Sequence, residues 1–312
     1  MIYDIRHVTT YSYEAAVAFA RCVVRLLPRD GDGQTVEDAV VEVTPTPALA
    51  RERTDFLGNR VIDAQISTPH ARLRIALRAR VDVMRPAPPA AGLTPAWETT
   101  RQTALATQSL APTAPAHFLF PSRLVALQAP VTAYARESFP AGRPVLEGAQ
   151  DFMRRIHADF VYDPDATHVA TPLAQAFAAR SGVCQDFAHI MIAGLRGLGL
   201  PAAYASGYIR TYPAKGQPRL EGADASHAWV AVWCGPEFGW RHLDPTNALD
   251  VGDEHIVAAI GRDYADVSPI DGVIRGSGSQ RLEVSVDVRP CSPEEQETEP
   301  DFPARENALK RV

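Results

Sequence analysis

Cys184, His227 and Asp244 are the residues of this chain whose types and surroundings best suit covalent chemistry. Cys184 stands in Ser181-Gly182-Val183-Cys184-Gln185-Asp186, where a glycine turn meets the apolar run Cys184 to Leu198. Phe187, Ile190, Met191, Ala193, Leu195 and Leu198 give that run the pattern of a helix. A cysteine in a first helical turn faces backbone N–H groups without intrahelical acceptors and the positive end of the helix dipole. Both favour thiolate over thiol, as a nucleophile requires. The same N–H groups could hold the oxyanion formed when a thiolate attacks a carbonyl. The plain alternative is a cysteine that packs the first turn, since free cysteines are among the most buried residues.

Downstream, Ser226-His227-Ala228-Trp229-Val230-Ala231-Val232-Trp233 and Trp240-Arg241-His242-Leu243-Asp244-Pro245-Thr246 read as two strands, with Gly235-Pro236-Glu237-Phe238-Gly239 as the turn between them. A hairpin centred near Gly235-Pro236 sets His227 directly opposite Asp244. A hairpin centred one residue later makes them diagonal neighbours on one face. Either way a carboxylate lies beside an imidazole, the arrangement that orients a general base toward a nucleophile. Ordinary roles also exist: His227 as a strand histidine, and Asp244 before Pro245 as the start of a turn.

Other residues invite comparison. His189, five residues after Cys184, is about 500° around the helix at 100° per residue and points away from it, so it packs or caps locally. His242 and Asp244 form an H-x-D pair on one strand face and, with His227, could ligate zinc in a metal hydrolase. Trp229, Trp233 and Trp240 could line a substrate groove, though strand tryptophans are more often core. Tyr162, before Asp163-Pro164, and Gln185, next to the nucleophile, are candidates for an oxyanion or substrate contact. Cys22, Cys234 and Cys291 read as packing or surface thiols.

Three blocks resemble the bacterial transglutaminase-like superfamily: Gly182-Val183-Cys184-Gln185-Asp186-Phe187-Ala188, Ser226-His227-Ala228-Trp229-Val230, and Leu243-Asp244-Pro245-Thr246-Asn247. Leu198-Gly199-Leu200-Pro201-Ala202 to Ser206-Gly207-Tyr208 is also similar. The resemblance implies a papain-like Cys-His-Asp site that maps onto Cys184, His227 and Asp244, with no member missing. The N-terminal region resembles the β-domain that precedes this core in bacterial members, through His7-Val8-Thr9-Thr10-Tyr11-Ser12-Tyr13, Leu26-Leu27-Pro28-Arg29 and Asp55-Phe56-Leu57-Gly58-Asn59. The likeness covers most of residues 1 to 290. It implies attack on an amide carbonyl of a peptide or protein, a thioester acyl-enzyme, and resolution by water or an amine, with no cofactor. A non-catalytic peptide- or protein-binding module on the same fold is the alternative. The chain shows no acidic cluster of calcium-site character, which tilts the reading toward hydrolysis over crosslinking.

The elements that must position these residues follow from the pattern. Residues 1–85 read as an antiparallel β-domain, with strands at Ile2 to Tyr13, Gln34 to Val43, Asn59 to Ser67 and Arg72 to Met84. No constellation in that domain could do chemistry. Residues 86–120 begin with Pro86-Ala87-Pro88-Pro89 and read as a Pro/Ala-rich linker. Residues 121–290 form an α+β core of the cysteine-protease type, with helices at Leu124 to Glu137, Val145 to His157 and Cys184 to Leu198. There the helix bearing Cys184 packs on an antiparallel sheet bearing His227 and Asp244. A strand-like Phe160 to Tyr162 lies between helices, and Arg281 to Val288 reads as the last strand. Residues 291–312, acidic and Pro/Glu-rich, read as a loose tail.

Composition agrees with a folded enzyme. At 312 residues the chain can bury roughly 75% of its unfolded surface without a disulfide scaffold. The four cysteines lie far apart and make no CxxC pair, against structural zinc. A net charge of −6 with mixed signs argues against a nucleic-acid partner. No stretch approaches ~20 apolar residues, so no membrane helix is expected and the cytoplasm is the expected location.

Overall fold

The computed structural model describes residues 1–211 and 225–291. The acidic tail expected over 291–312 lies outside the described residues after Cys291, as does part of the segment before His227.

The first strands are β1 (Ile2–Val17), β2 (Phe19–Val24), β3 (Gln34–Thr44), β4 (Leu49–Thr54), β5 (Arg60–Ile66) and β6 (His70–Val83). On β1 the buried side chains include Tyr3, Ile5, His7 and Thr9, and on β6 they include Leu73, Ile75, Leu77, Ala79, Val81 and Val83. That spacing of two is what a strand with one face on a core demands. Strand β2 buries Ala20, Cys22 and Val24 in alternation but carries apolar residues on both faces, and the charged β4 has no apolar face, so the sequence reading passes over them.

After β6 come α1 (Trp97–Ala106), α2 (Ala129–Arg136), α3 (Val145–Asp159), β7 (Val161–Tyr162), α4 (Leu173–Ala179), β8 (Ser181–Gly182) and α5 (Cys184–Gly197). The chain continues through β9 (Ala202–Ile209), β10 (Ala225–Trp233), β11 (Trp240–Asp244), β12 (Leu249–Asp250), β13 (His255–Gly261), α6 (Tyr264–Val267), β14 (Ile270–Arg275) and β15 (Gln280–Pro290). The whole is α+β, as expected.

Among the described residues three larger sheets organise the fold, beside the two-stranded β7-β8 pair. One runs β15-β1-β6-β3 and a second β14-β2-β5-β4, and the two share one apolar core containing Ile5, Ile75 and Leu77 from the first and Cys22, Ile62 and Ile66 from the second. The third runs β12-β11-β10-β9-β13 and carries the candidate site. Helix α5 is buried from Gln185 to Arg196 and lies against this sheet through Ala228, Val230 and Val232. Other helices press closely on it: a Cβ on Gly194 would lie 2.6 Å from the Phe152 ring.

Two expectations are corrected. Strands β14 and β15, placed within the 121–290 core, instead pair with β2 and β1 of the N-terminal sheets. Their pairing spans the whole chain, and nothing local in the sequence specifies it. The segment 86–120, expected as a linker, is helical over α1 and packed. Trp97 is buried in the core and donates its indole N–H to the Pro140 carbonyl, and Ala104 packs with Leu119 and Trp233. Single anchors of this kind leave no periodic trace.

Arg196 holds the lower part of α5. Its guanidinium is buried and donates to the carbonyls of Phe118, Phe120, Ala202 and Arg262 and to Ser122 Oγ, at 2.6–3.1 Å. Burial lowers its pKa to about 10, and five acceptors offset the lost hydration. Arg196→Met removes all of these bonds and leaves buried carbonyls unpaired. A loss of about 3 kcal/mol is expected in urea unfolding, with Arg196→Lys intermediate; an unchanged midpoint would refute this role.

Candidate active site

Strand pairing settles the position of the imidazole relative to the carboxylate. Val230 lies opposite Leu243 and Trp233 opposite Trp240. Asp244 therefore faces Trp229, and His227, two residues earlier on β10, is its diagonal neighbour on the same face. This is the hairpin centred one residue later of the two considered. His227 Nε2 lies 2.8 Å from Asp244 Oδ2, and both are buried. The Cys184 side chain lies near enough to His227 to help raise its pKa. With Nε2 committed to Asp244, Nδ1 is the nitrogen left to face the sulfur.

Asp244 has no solvent exposure. Its Oδ1 accepts from the Thr246 and Asn247 amides at 2.9 and 3.2 Å, and its Oδ2 from Asn247 Nδ2 at 2.7 Å and His255 Nε2 at 3.1 Å, besides His227. Burial alone would raise its pKa. The bonds from His227 and His255 and their charges more than offset this, and hold the carboxyl well below the usual carboxylate range. The same contest acts on His227. Burial lowers its pKa, but the bond to Asp244, the nearby Cys184 side chain and the charges of both prevail and push it up to about 10.

Cys184 opens α5, partly exposed. The residue before it, Val183, offers the helix no side-chain acceptor. Asp186 supplies the other half of a cap: its Oδ2 accepts from the Val183 amide at 2.9 Å and from Thr167 Oγ at 2.6 Å. A Cβ on Gly182 would sit 2.5 Å from that same oxygen, which is why glycine stands two residues before the cysteine. The first-turn amides of Cys184 and Gln185 have no intrahelical acceptor.

The auxiliary residues lie nearby in different states. The Gln185 side-chain amide donates to the Val169 carbonyl at 3.2 Å, so it is engaged with the adjoining loop. Tyr162 is exposed, edge-on to Phe187, and close enough for Cys184 to contribute, after burial, to raising its pKa. His189 faces away as expected: its Nε2 accepts the Tyr264 amide, and burial lowers its pKa to about 4. Trp233 and Trp240 pack with Leu119, whereas Trp229 lies stacked on His227, its ring centroid 6.1 Å away.

His242 is not where a zinc set would need it. Its Nδ1 accepts the Trp229 indole N–H at 2.9 Å, and its Nε2 is 4.0 Å from Asp32. Among the described residues, the grouping with metal-like spacing is His227, Asp244 and His255, whose donor atoms lie within 4.8 Å of one another. Those atoms are already joined as hydrogen-bond donors and acceptor. His255 and Asn247 were not singled out from the sequence. Asn247 could have been found as the end of an aspartate-initiated turn; His255 has no neighbouring motif.

Comparison with known proteins places this site in context. Residues 3–82 match the model of the bacterial transglutaminase-like N-terminal region, and residues 132–245 that of the transglutaminase-like superfamily. An uncharacterized protein of Mycobacterium tuberculosis is 37% identical over 295 residues, covering 92% of each chain. A protein-glutamine gamma-glutamyltransferase of Pseudomonas aeruginosa is 33% identical over 156 residues, 41% of this chain and 23% of that protein. A solved structure from Cytophaga hutchinsonii, provisionally named a cysteine protease, shares the fold with a TM-score of 0.70 at 21% identity, covering 94% of this chain and 92% of the other.

The raised His227 value stabilises the fold fully below the unfolded histidine pKa of ~6.5, and this contribution is lost as pH rises through about 10. The depressed Asp244 value contributes above ~3.9, and the contribution is lost as pH falls through the folded value. By imidazole nitrogen NMR, His227 should remain protonated to about pH 10, and Asp244→Asn should lower its midpoint. A wild-type midpoint near 6.5 would contradict the described pair.

Proposed function

The chain belongs to the transglutaminase-like superfamily, and from that premise we propose that it is a cysteine-dependent acyl-transfer enzyme acting on peptide or protein amides. The observation that carries the proposal is a buried imidazole bonded to a buried carboxylate, Asp244, with Cys184 at the start of α5 near enough to raise the imidazole's pKa. The steps begin with transfer of the Cys184 thiol proton to His227, which leaves the negative charge on the sulfur.

The steps follow from that charge distribution. The sulfur attacks the amide carbonyl, and the oxyanion takes the first-turn amides of α5. The C–N bond breaks as His227 delivers its proton to the departing nitrogen, leaving a thioester on Cys184. His227, now neutral, removes a proton from water or from a second amine. That nucleophile displaces the sulfur, and the starting state returns. Asp244 keeps the ring oriented and favours the imidazolium throughout. Hydrolysis is the favoured outcome, and transfer to an amine is the second route through the same thioester.

The test begins with iodoacetamide. At pH 7, Cys184 should alkylate faster than Cys22, Cys234 and Cys291, and His227→Ala should slow it at least tenfold. Equal reactivity of the four thiols would sink the nucleophile and favour a binding module. The acceptor is then read by incubating the protein with a proteome-derived peptide mixture, with and without dansylcadaverine. New carboxyl groups, absent with Cys184→Ala, indicate water; dansyl-labelled peptides indicate the amine route.

A further inference from the structure

His255 takes no part in the steps above, yet it binds the same carboxylate oxygen as His227. Its Nε2 lies 3.1 Å from Asp244 Oδ2, and only 2% of its surface is exposed. Because Asp244 is ionised, the oxygen accepts and His255 must donate from Nε2. Its Nδ1 is then a bare lone pair, and that atom is buried without a hydrogen-bond partner. A buried polar atom left unpaired is costly. The histidine is therefore a poor choice for packing alone, and its value lies at the other nitrogen.

Topology makes the contact unusual. In the site-bearing sheet, β13 is separated from β11, the strand that carries Asp244, by β9 and β10, so His255 reaches Asp244 across two intervening strands. At the crossing stands Gly207, paired with His227, where a Cβ would lie 2.8 Å from the Trp229 ring. The Trp229 ring stacks on His227 and meets His255 edge-on at 5.2 Å. His227 and His255 thus bracket Asp244 Oδ2 from two strands, with Trp229 against both rings.

What holds His255 comes from outside the site-bearing sheet. Arg85, just after β6, donates through one guanidinium nitrogen to the carbonyls of Gly252 and His255, each at 2.6 Å, while its own amide donates to Asp253. Its other terminal nitrogen donates to Gln34 Oε1 at 3.2 Å. Gln34, at the start of β3, pairs with both the amide and the carbonyl of Val257 at 2.8 Å. The strand that bears His255 is clamped on its outer edge by side chains of the N-terminal sheets.

We propose that His255 is a positioning residue for the Asp244–His227 pair, and that Arg85 and Gln34 hold it from the N-terminal β-sandwich. This rests on the acyl-transfer reading of Cys184 and His227. The N-terminal sheets then contribute to the site's precision while supplying none of its reacting atoms.

The experiment measures iodoacetamide alkylation of Cys184 at pH 7 and solvent exchange of the His227 Nε2 proton, in full-length protein whose folding is checked by thermal unfolding. His255→Leu should slow alkylation on the order of tenfold and speed the proton exchange. His255→Gln, whose amide can reach the same oxygen, should restore most of the rate, and His255→Asn, one methylene shorter, should not. Arg85→Met should fall between wild type and His255→Leu. Folded His255→Leu with wild-type alkylation and exchange would overturn the proposal. If His255→Leu does not fold, equal rates for the Gln and Asn variants would overturn it instead. His227→Ala separates the two readings: if it leaves alkylation unchanged, the acyl-transfer proposal itself fails. If it slows alkylation while the His255 variants do not, only the positioning role fails.

Discussion

A carboxylate with no exposure to water is tolerable only where the protein replaces its hydration, and Asp244 is such a group. Five donors serve its two oxygens: two backbone amides, one side-chain amide and two imidazoles. Each comes from a different constraint. The amides require the turn after β11, His227 requires the β10–β11 register, and His255 requires β13 to lie beyond β9 and β10. Displacing any of these leaves a buried ion short of a partner. The site is therefore tied to the strand order of the sheet more firmly than to any single loop.

Cys184 is set by a separate device that meets the first one at His227. The helix it opens is buried along nearly its full length and fixed at the far end by Arg196. At the near end Asp186 takes over the capping that Val183 cannot provide, and the room for its carboxylate is the missing side chain of Gly182. Thr167 ties the preceding loop to that carboxylate. The helix end and the strand pair thus converge on one imidazole, bonded to Asp244 and with its pKa raised in part by Cys184. That is the preorganisation nucleophilic catalysis needs.

The sequence made legible what is local. A glycine before a cysteine before an apolar helix, and two strands around a Gly-Pro turn, were enough to bring Cys184, His227 and Asp244 to attention. Hairpin arithmetic left two registers open, and the choice between them fell to the packed sheet, where the Trp233–Trp240 pairing closes the turn. His255 was not legible because its link to Asp244 crosses two strands, and a single histidine at the start of β13 carries no spacing signal. The exchange of β14 and β15 into the N-terminal sheets was invisible for the same reason: pairing between residues 2–24 and 270–290 depends on the folded whole. His242 misled in the opposite sense. Its i, i+2 relation to Asp244 is the same-face geometry a metal site would use, but Trp229 takes its free nitrogen.

The three N-terminal segments that carried the resemblance acquire a physical meaning in the fold. His7 meets the Tyr208 hydroxyl, which itself donates to the Leu26 carbonyl. Arg29 donates its amide to Val257, and Asn59 pairs with the amide and carbonyl of Ile260. All three lie where the β-sandwich meets β9 and β13. A sheet edge exposes a row of unpaired backbone groups that must be covered, and here Gln34 and Asn59 cover β13 with side-chain amides that imitate a strand. The segments that looked chemically empty are thus the ones that close the edge of the site-bearing sheet. Their constraint is hydrogen-bond geometry along β13, the strand from which His255 reaches the buried carboxylate.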